Sequence, residues 1–395
     1  MTRPDRYPFI AFSYDTKGIS ADLWIAFGEA MSKCQHLAGA PLKPQAAEEM
    51  ASVYLARGVQ ATTAIEGNTL SDSEVQEIVN KGSAGVSESR AYLEREVQNV
   101  IGAIRDIDHA LQSGKRLPIT VERLCELNAQ ILEGIPEQPE VEPGKLRKHN
   151  VHAGKYLAPA YSEVPYLLDR FVKWLEEMRF PPRDDDRPES RFVNAVLSAI
   201  LAHLYIAWIH PFGNGNGRLA RLIEVQILSE SGIVPIVATN LLSDFYNKTR
   251  NRYYLALDEA QRDVTAFIRY ALQGFLDELR DQIKRVRQEN LRIHWESHVY
   301  EVFRTMPSTP ARDRQRELAL ELPGDRWVSR QEATELSIRL AKKYAQCGDR
   351  TPARDLNDLC KMGLARRSGP GRYRANRKVI EAFIPPTWCD SGSNK

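Results

Sequence analysis

His210-Pro211-Phe212-Gly213-Asn214-Gly215-Asn216-Gly217-Arg218, with Arg221 one turn further on, puts an imidazole, a glycine-rich turn and two guanidinium groups into twelve residues. Before it, Phe192 to Ile209 is almost wholly apolar. That run reads as a helix buried on most sides, too short and too interrupted by Ser198 and His203 to span a bilayer. After it, Leu219, Leu222, Ile223 and Ile227 recur at helical spacing between Arg218 and Ser231, and Gly232 supplies the C-terminal stop. The glycines therefore join two helices and open the second.

A helix N-terminus offers unpaired N–H groups and the positive end of the macrodipole. Glycines let a phosphate come close to that backbone. Arg218 and Arg221, three apart, share a helix face, and each can fork onto phosphate oxygens. His210 stands at the loop entrance, where an imidazole of near-neutral pKa can take a proton from a hydroxyl. Together these groups fit transfer from a nucleotide phosphate to a hydroxyl-bearing acceptor.

The stretch resembles the signature of the Fic family, His-x-Phe-x-(Asp/Glu)-Gly-Asn-Gly-Arg-x-x-Arg. The resemblance spans about Leu23 to Leu279 and implies a mainly α-helical Fic fold with a small β-hairpin flap. It implies a protein adenylyltransferase that moves AMP from ATP to a Ser, Thr or Tyr hydroxyl of a target protein or of itself. On that footing His210 is the general base. Phe212, Gly213, Asn214, Gly215, Gly217, Arg218 and Arg221 hold the nucleotide. Asn216, with the backbone of Gly215 and Gly217, stabilises charge developing on the phosphate. One position departs: the family's acidic residue, which holds Mg2+, is Asn214. An amide oxygen ligates a cation without adding charge, so a site at Asn214 leans on the nucleotide phosphates, and the identity of the donor stays open.

A second segment, Thr62-Thr63-Ala64-Ile65-Glu66-Gly67-Asn68, closes a helix predicted from about Ala46. Gly67 and Asn68 are a natural stop, and Ser71-x-x-Glu74 opens the next helix as a capping box. Glu66 thus falls in a last turn, where an anion gains from a cationic partner. The segment resembles the inhibitory motif (Ser/Thr)-x-x-x-Glu-(Gly/Asn) of self-restrained Fic proteins. By resemblance Thr62, Glu66 and Gly67 form a brake, with Glu66 on Arg221. Gly144 to Arg147 followed by Val151 to Leu157 resembles the family's flap, which holds a target peptide by strand addition. Pro165 to Met178 is an amphipathic core helix.

Asp263 to Phe303 reads as one long helix whose later half is laced with both charges, suited to an exposed connector over 286–305. A boundary is expected near Met306-Pro307-Ser308-Thr309-Pro310. The expected parts are an N-terminal helical region (1–115), a core (116–285), that connector and a C-terminal domain (306–385). Helix starts at Thr309, Ser329 and Thr351, followed by the glycine-tipped basic turn Arg366 to Arg374, resemble a winged helix-turn-helix with Thr351 to Leu364 as recognition helix. From Arg326 to Lys378 there are 14 Lys/Arg against 5 Asp/Glu, about +9 in a chain whose total is +2. Concentrated positive charge is the footprint of a nucleic-acid binder, with Arg350, Arg354 and Arg372 as candidate DNA contacts. The alternative reading of the whole chain is a DNA-binding regulator whose Fic fold senses a nucleotide.

With 395 residues, 43% hydrophobic and 27% charged, the chain has the composition of a soluble protein of two or three domains. Neither a secretory signal nor a membrane span is evident. Five scattered cysteines form no zinc or disulfide pattern, which suits a reducing cytoplasm. The first fifteen residues and 386–395 are expected to be disordered. Dimerisation through helices, which the family can show, leaves no mark in the sequence.

Overall fold

Between Ile283 and Lys284 the chain divides into two compact units. The structure is a computed structural model and describes residues 7–115, 117–154, 156–179, 187–369 and 371–381, so the tail expected at 386–395 lies outside it. The first unit contains α1 (Ala21–Ala38), α2 (Pro44–Ile65), α3 (Asp72–Lys81), α4 (Ala91–Gln112) and α5 (Val121–Ile131). The antiparallel pair β1 (His152–Ala153) and β2 (Tyr156–Leu157) follows. Then come α6 (Val164–Arg179), α7 (Pro188–Ile209), α8 (Asn216–Glu230), α9 (Leu241–Lys248), α10 (Arg250–Glu259) and, as far as Ile283, the first part of α11 (Val264–Arg304). The mainly helical expectation holds.

α7 is the rod on which this unit is built. It packs along α8 and also touches α6 and α1, while α8 reaches α2, α4 and α5. Phe192, Val196, Ile200 and Leu204 on α7 have no exposed surface. Each such side chain contributes about 1.5–3 kcal/mol relative to staying in water. The helix starts at Pro188, whose missing N–H costs nothing in a first turn. It is therefore longer than the apolar run alone suggested, and by length and composition could cross a membrane. Its surface is instead covered by protein.

Two expectations for this unit are corrected. The boundary at 115/116 separates nothing, because α2 packs on α8 and α9. Residues 7–15, expected to be disordered, lie on α7 instead. Phe9 stands edge-on to Trp208 at 5.1 Å, and Phe12, buried, sits 4.9 Å from Tyr205. Aromatic area of this size is enough to order a short terminal segment.

The second unit contains α12 (Pro310–Glu321), β3 (Val328–Ser329), α13 (Arg330–Thr334), α14 (Ile338–Ala345), α15 (Thr351–Lys361), β4 (Ala365–Ser368) and β5 (Arg372–Ala375). Its antiparallel sheet has the order β3-β5-β4. Trp295, Val299 and Phe303 belong to its core with Leu318, Leu356 and Tyr373. The exposed connector expected over 286–305 is thereby corrected. Beneath the surface charges, an apolar stripe at four-residue spacing is buried in this unit. α15 is fixed by Asp355, almost fully buried, which accepts from Arg314 Nε at 2.7 Å, Gln315 Nε2 at 2.9 Å and Tyr344 Oη at 3.1 Å.

Candidate active site

His210 is the residue at which α7 stops. Its backbone is left-handed (φ 49°, ψ 59°) while its N–H still donates to the Ile206 carbonyl at 2.9 Å. A non-glycine residue in that region persists when its surroundings over-determine it. Here Arg147, 4% exposed, does so. Its Nε donates to the His210 carbonyl at 2.7 Å and its Nη1 to the His149 carbonyl at 2.8 Å. Its Nη2 reaches the carbonyls of Pro159 and Ile209, and its own N–H donates to the Pro211 carbonyl. Gly144 to Arg147 is thus not flap strand, as expected, but a clamp behind the imidazole. The flap is the hairpin β1–β2 alone, with Tyr156 Oη donating to the Trp208 carbonyl at 2.8 Å.

The His210 Nδ1 lies 3.3 Å from the Ala207 carbonyl. A carbonyl only accepts, so Nδ1 carries the proton and Nε2 keeps its lone pair. Burial holds the imidazole below its ordinary value, with help from the Arg147 guanidinium, against the Ala207 carbonyl and Glu66. The ring is therefore held in its neutral form at pH 7, with Nε2 able to accept a proton.

The loop closes on itself. Phe212 N–H donates to Asn216 Oδ1, and Asn216 Nδ2 donates back to the Phe212 carbonyl, both at 2.9 Å. Asn216, expected to stabilise charge on the phosphate, also closes the loop, spending its amide oxygen and one of its two amide N–H groups on Phe212. The Gly215 N–H is likewise taken, by Asn214 Oδ1 at 2.7 Å. Gly215 has φ 80°, and a Cβ there would strike Asn128, so this position needs glycine twice over. The N–H groups of Asn216, Gly217 and Arg218 form the first turn of α8 and have no preceding turn to bond to. They are the anion-facing backbone. Asn128, fully buried on α5, anchors the other side: its Nδ2 donates to the Asn214 carbonyl and its Oδ1 accepts from Gly144 N–H, both at 3.0 Å.

Both arginines are held by carboxylates. Arg221 Nε donates to Thr62 Oγ1 at 2.6 Å, and its Nη2 to the Thr62 carbonyl at 3.0 Å and to Glu66 Oε1 at 2.6 Å. α2 ends below this pair in a Schellman turn. Asn68 N–H donates to the Thr63 carbonyl and Gly67 N–H (φ 103°) to that of Ala64. Tyr254 and Arg250 donate to the Ile65 carbonyl. Removal from water pushes the Glu66 carboxyl up, but the Arg221 guanidinium, with Arg218 and His210, brings it below the usual carboxylate range. A Cβ added at Gly217 would collide with Oε1 of Glu66. The carboxylate thus lies flat on the glycine where a phosphate oxygen would approach. Arg218 Nη1 donates to buried Glu96 at 2.6 Å, and Glu96 also accepts from Asn68 at 2.8 Å. Burial raises the Glu96 carboxyl, against Arg218 and Asn68.

Glu66, His210, Gly217 and Arg221 face a cavity of about 530 Å³, which Tyr254 and Asp258 also line. That is room for a nucleotide, in the range of small-ligand sites. A divalent cation fits Asn214 poorly. Its Oδ1 already accepts from Gly215 N–H and from Arg218 Nη2 at 3.3 Å, and the amide nitrogen is what faces outward. The expected metal role of Asn214 is corrected accordingly. The other predicted residues, Arg350, Arg354 and Arg372, are all exposed on the second unit, at the start of α15, in its first turn and at the start of β5.

Residues 118–228 match the model of the Fic/DOC family. Over this stretch the chain is similar to the Fic/DOC family. Over 216 residues the chain is 31% identical to protein adenylyltransferase fic-1 of Caenorhabditis briggsae, covering 54% of this chain and 38% of that protein. Over 207 residues it is 27% identical to protein adenylyltransferase Fic of Drosophila yakuba, covering 52% and 37%. The chain therefore spans under half the length of these curated relatives. A solved Fic family protein from Desulfovibrio desulfuricans G20 superposes over 92% of this chain and 98% of its own, with TM-score 0.54 at 20% identity. A Fic-1 fragment from C. elegans covers 68% and 74%, with TM-score 0.50 at 23%. These two likenesses concern the fold. Within residues 118–228 lie Arg147, Asn128, His210, Arg218 and Arg221, while Glu66 and Glu96 come from helices before them.

Proposed function

We propose that this chain is an autoinhibited protein adenylyltransferase that takes ATP as donor. One observation carries the reading: a neutral imidazole with a free Nε2 opens onto an anion-binding helix start whose place is filled by a tethered carboxylate, Glu66, on Arg221. With the carboxylate withdrawn, the phosphates of ATP meet the first turn of α8 and the arginines. A target hydroxyl gives its proton to His210 Nε2 as its oxygen attacks the α-phosphate. The new P–O bond forms as the bond to the β-phosphate oxygen breaks, and pyrophosphate leaves. Charge on the phosphate is met by the N–H groups of Asn216 to Arg218 and by the guanidinium groups. The exposed hairpin β1–β2 offers an edge for a target segment.

The test is label transfer from α-labelled ATP. Glu66→Gly is expected to raise self- or target labelling roughly 5- to 150-fold over the wild type, the usual range of a regulatory coupling. Equal labelling in both proteins would sink the brake. No labelling in either, with ATP bound, would sink the transferase.

A second reading is favoured by the exposed arginines of the second unit. We propose that α15 and the β4–β5 hairpin act as a winged helix-turn-helix that binds duplex DNA. The full chain is expected to shift a labelled duplex with an affinity falling steeply with salt. Removing one phosphate contact with Arg354→Ala or Arg372→Ala should lower the log–log salt slope by about 1. Binding that ignores both salt and these substitutions would rule it out.

A further inference from the structure

Asn214 turns its amide nitrogen toward a carboxylate that the motif does not contain. Nδ2 donates to Glu137 Oε1 at 3.0 Å and to Oε2 at 2.9 Å. The amide orientation follows from its partners. Reversed, Oδ1 would face two carboxylate oxygens and the NH2 would face the Gly215 N–H. Glu137 comes from the loop after α5, between Pro136 and Pro139, whose fixed φ angles stiffen the turn. It lines an open cleft with His149, His152, Gly213 and His210. Among the described residues its partner is a neutral amide, and no cationic side chain is in ion-pair contact with it.

Resting on the adenylyltransferase reading, we propose that Glu137 supplies the carboxylate missing at position 214 and is the anionic protein ligand for the divalent cation that accompanies the nucleoside triphosphate. A triphosphate on the glycine loop and Glu137, bonded to that loop through Asn214, are like charges at close quarters, and they repel unless a cation stands between them. Mg2+ is held in this manner, by one or two carboxylates plus substrate phosphates, with water completing its shell. Asn214 is then a spacer: it fixes Glu137 on one side and Gly215 and Arg218 on the other.

Calorimetric titration of ATP, with Mg2+ and with EDTA, separates the possibilities. The variants are built on Glu66→Gly, and their ligand-free melting temperatures check the fold. Mg2+ is expected to tighten ATP binding about tenfold or more in Glu66→Gly. Glu137→Gln keeps an acceptor for the Asn214 amide but loses the charge. It should cut that gain to within about threefold while leaving metal-free binding equal or tighter. Glu137→Gln/Asn214→Asp, with the carboxylate returned to the loop, should restore the gain. A full Mg2+ gain in Glu137→Gln overturns the assignment. So does an equal loss with and without metal, which is the mark of a residue that only positions the loop. No ATP binding by Glu66→Gly itself would overturn the nucleotide reading, and this inference with it.

Discussion

Replacing His210 by alanine in a Glu66→Gly protein is expected to lower AMP transfer by about 10²- to 10⁴-fold, the span of a lost general base. The affinity for ATP should stay within about threefold, since the imidazole meets the acceptor hydroxyl and not the phosphates. The same base sets the pH profile. Neutral His210 is the working form, and burial holds its pKa below the ordinary value. Transfer should therefore persist as pH falls through about 6.5, where a free imidazole would already be half protonated. Its acid limb lies lower. Glu66 pulls the imidazole pKa up, so the limb measured in the Glu66→Gly background is lower again. A rate unchanged by His210→Ala, or an acid limb above that of free imidazole, would remove His210 from the role.

Arg147→Met is expected to cost about 3 kcal/mol of stability, because it strips charged donors from carbonyls that stay buried. For the unit Met1–Ile283 that is roughly 5 °C in Tm. Arg147→Lys should recover only part of it, since an ammonium cannot reproduce a planar fork that bonds the carbonyls of His210, His149 and Pro159 together. Transfer should fall further than the loss of folded protein explains, because the left-handed turn at His210 loses what holds it. An unchanged Tm in Arg147→Met would show that the loop needs no clamp.

The catalytic loop was legible because its chemistry is local. His210, the glycines and both arginines fall within one helix–turn–helix, and the spacing alone puts them in one volume. The contact of Glu66 with Arg221 was legible for a related reason: a glutamate in a last helical turn, before a glycine, announces a cationic partner. What escaped are the side chains that arrive from far along the chain. Glu96 meets Arg218 across 122 residues, Asn128 meets Asn214 across 86, and Glu137 meets Asn214 across 77. Glu96 left one faint trace, a carboxylate beside Leu93, Val97 and Val100 on a buried helix face. Asn128 left a similar one, with Leu124, Leu127 and Ile131 around it. Neither trace names a partner. Asn216 shows the opposite case: its motif position says it is needed, but only the folded loop shows that its amide bonds Phe212. The stretch 286–305 misled because its surface charges outnumber the three apolar side chains that decide where it packs.

The carboxylate of Glu66 and the loop it covers are one chain, and on the autoinhibited reading proposed above this sets the kind of inhibitor it would be. A competitor tied to its site by a short path acts at an effective concentration in the millimolar range whatever the amount of protein present. Dilution cannot relieve it, and more enzyme cannot out-titrate it. What can relieve it is displacement of the last turn of α2, where Thr62, the Ile65 carbonyl and Glu66 are all moored within five residues. On that reading the control point is a helix end rather than a second nucleotide site.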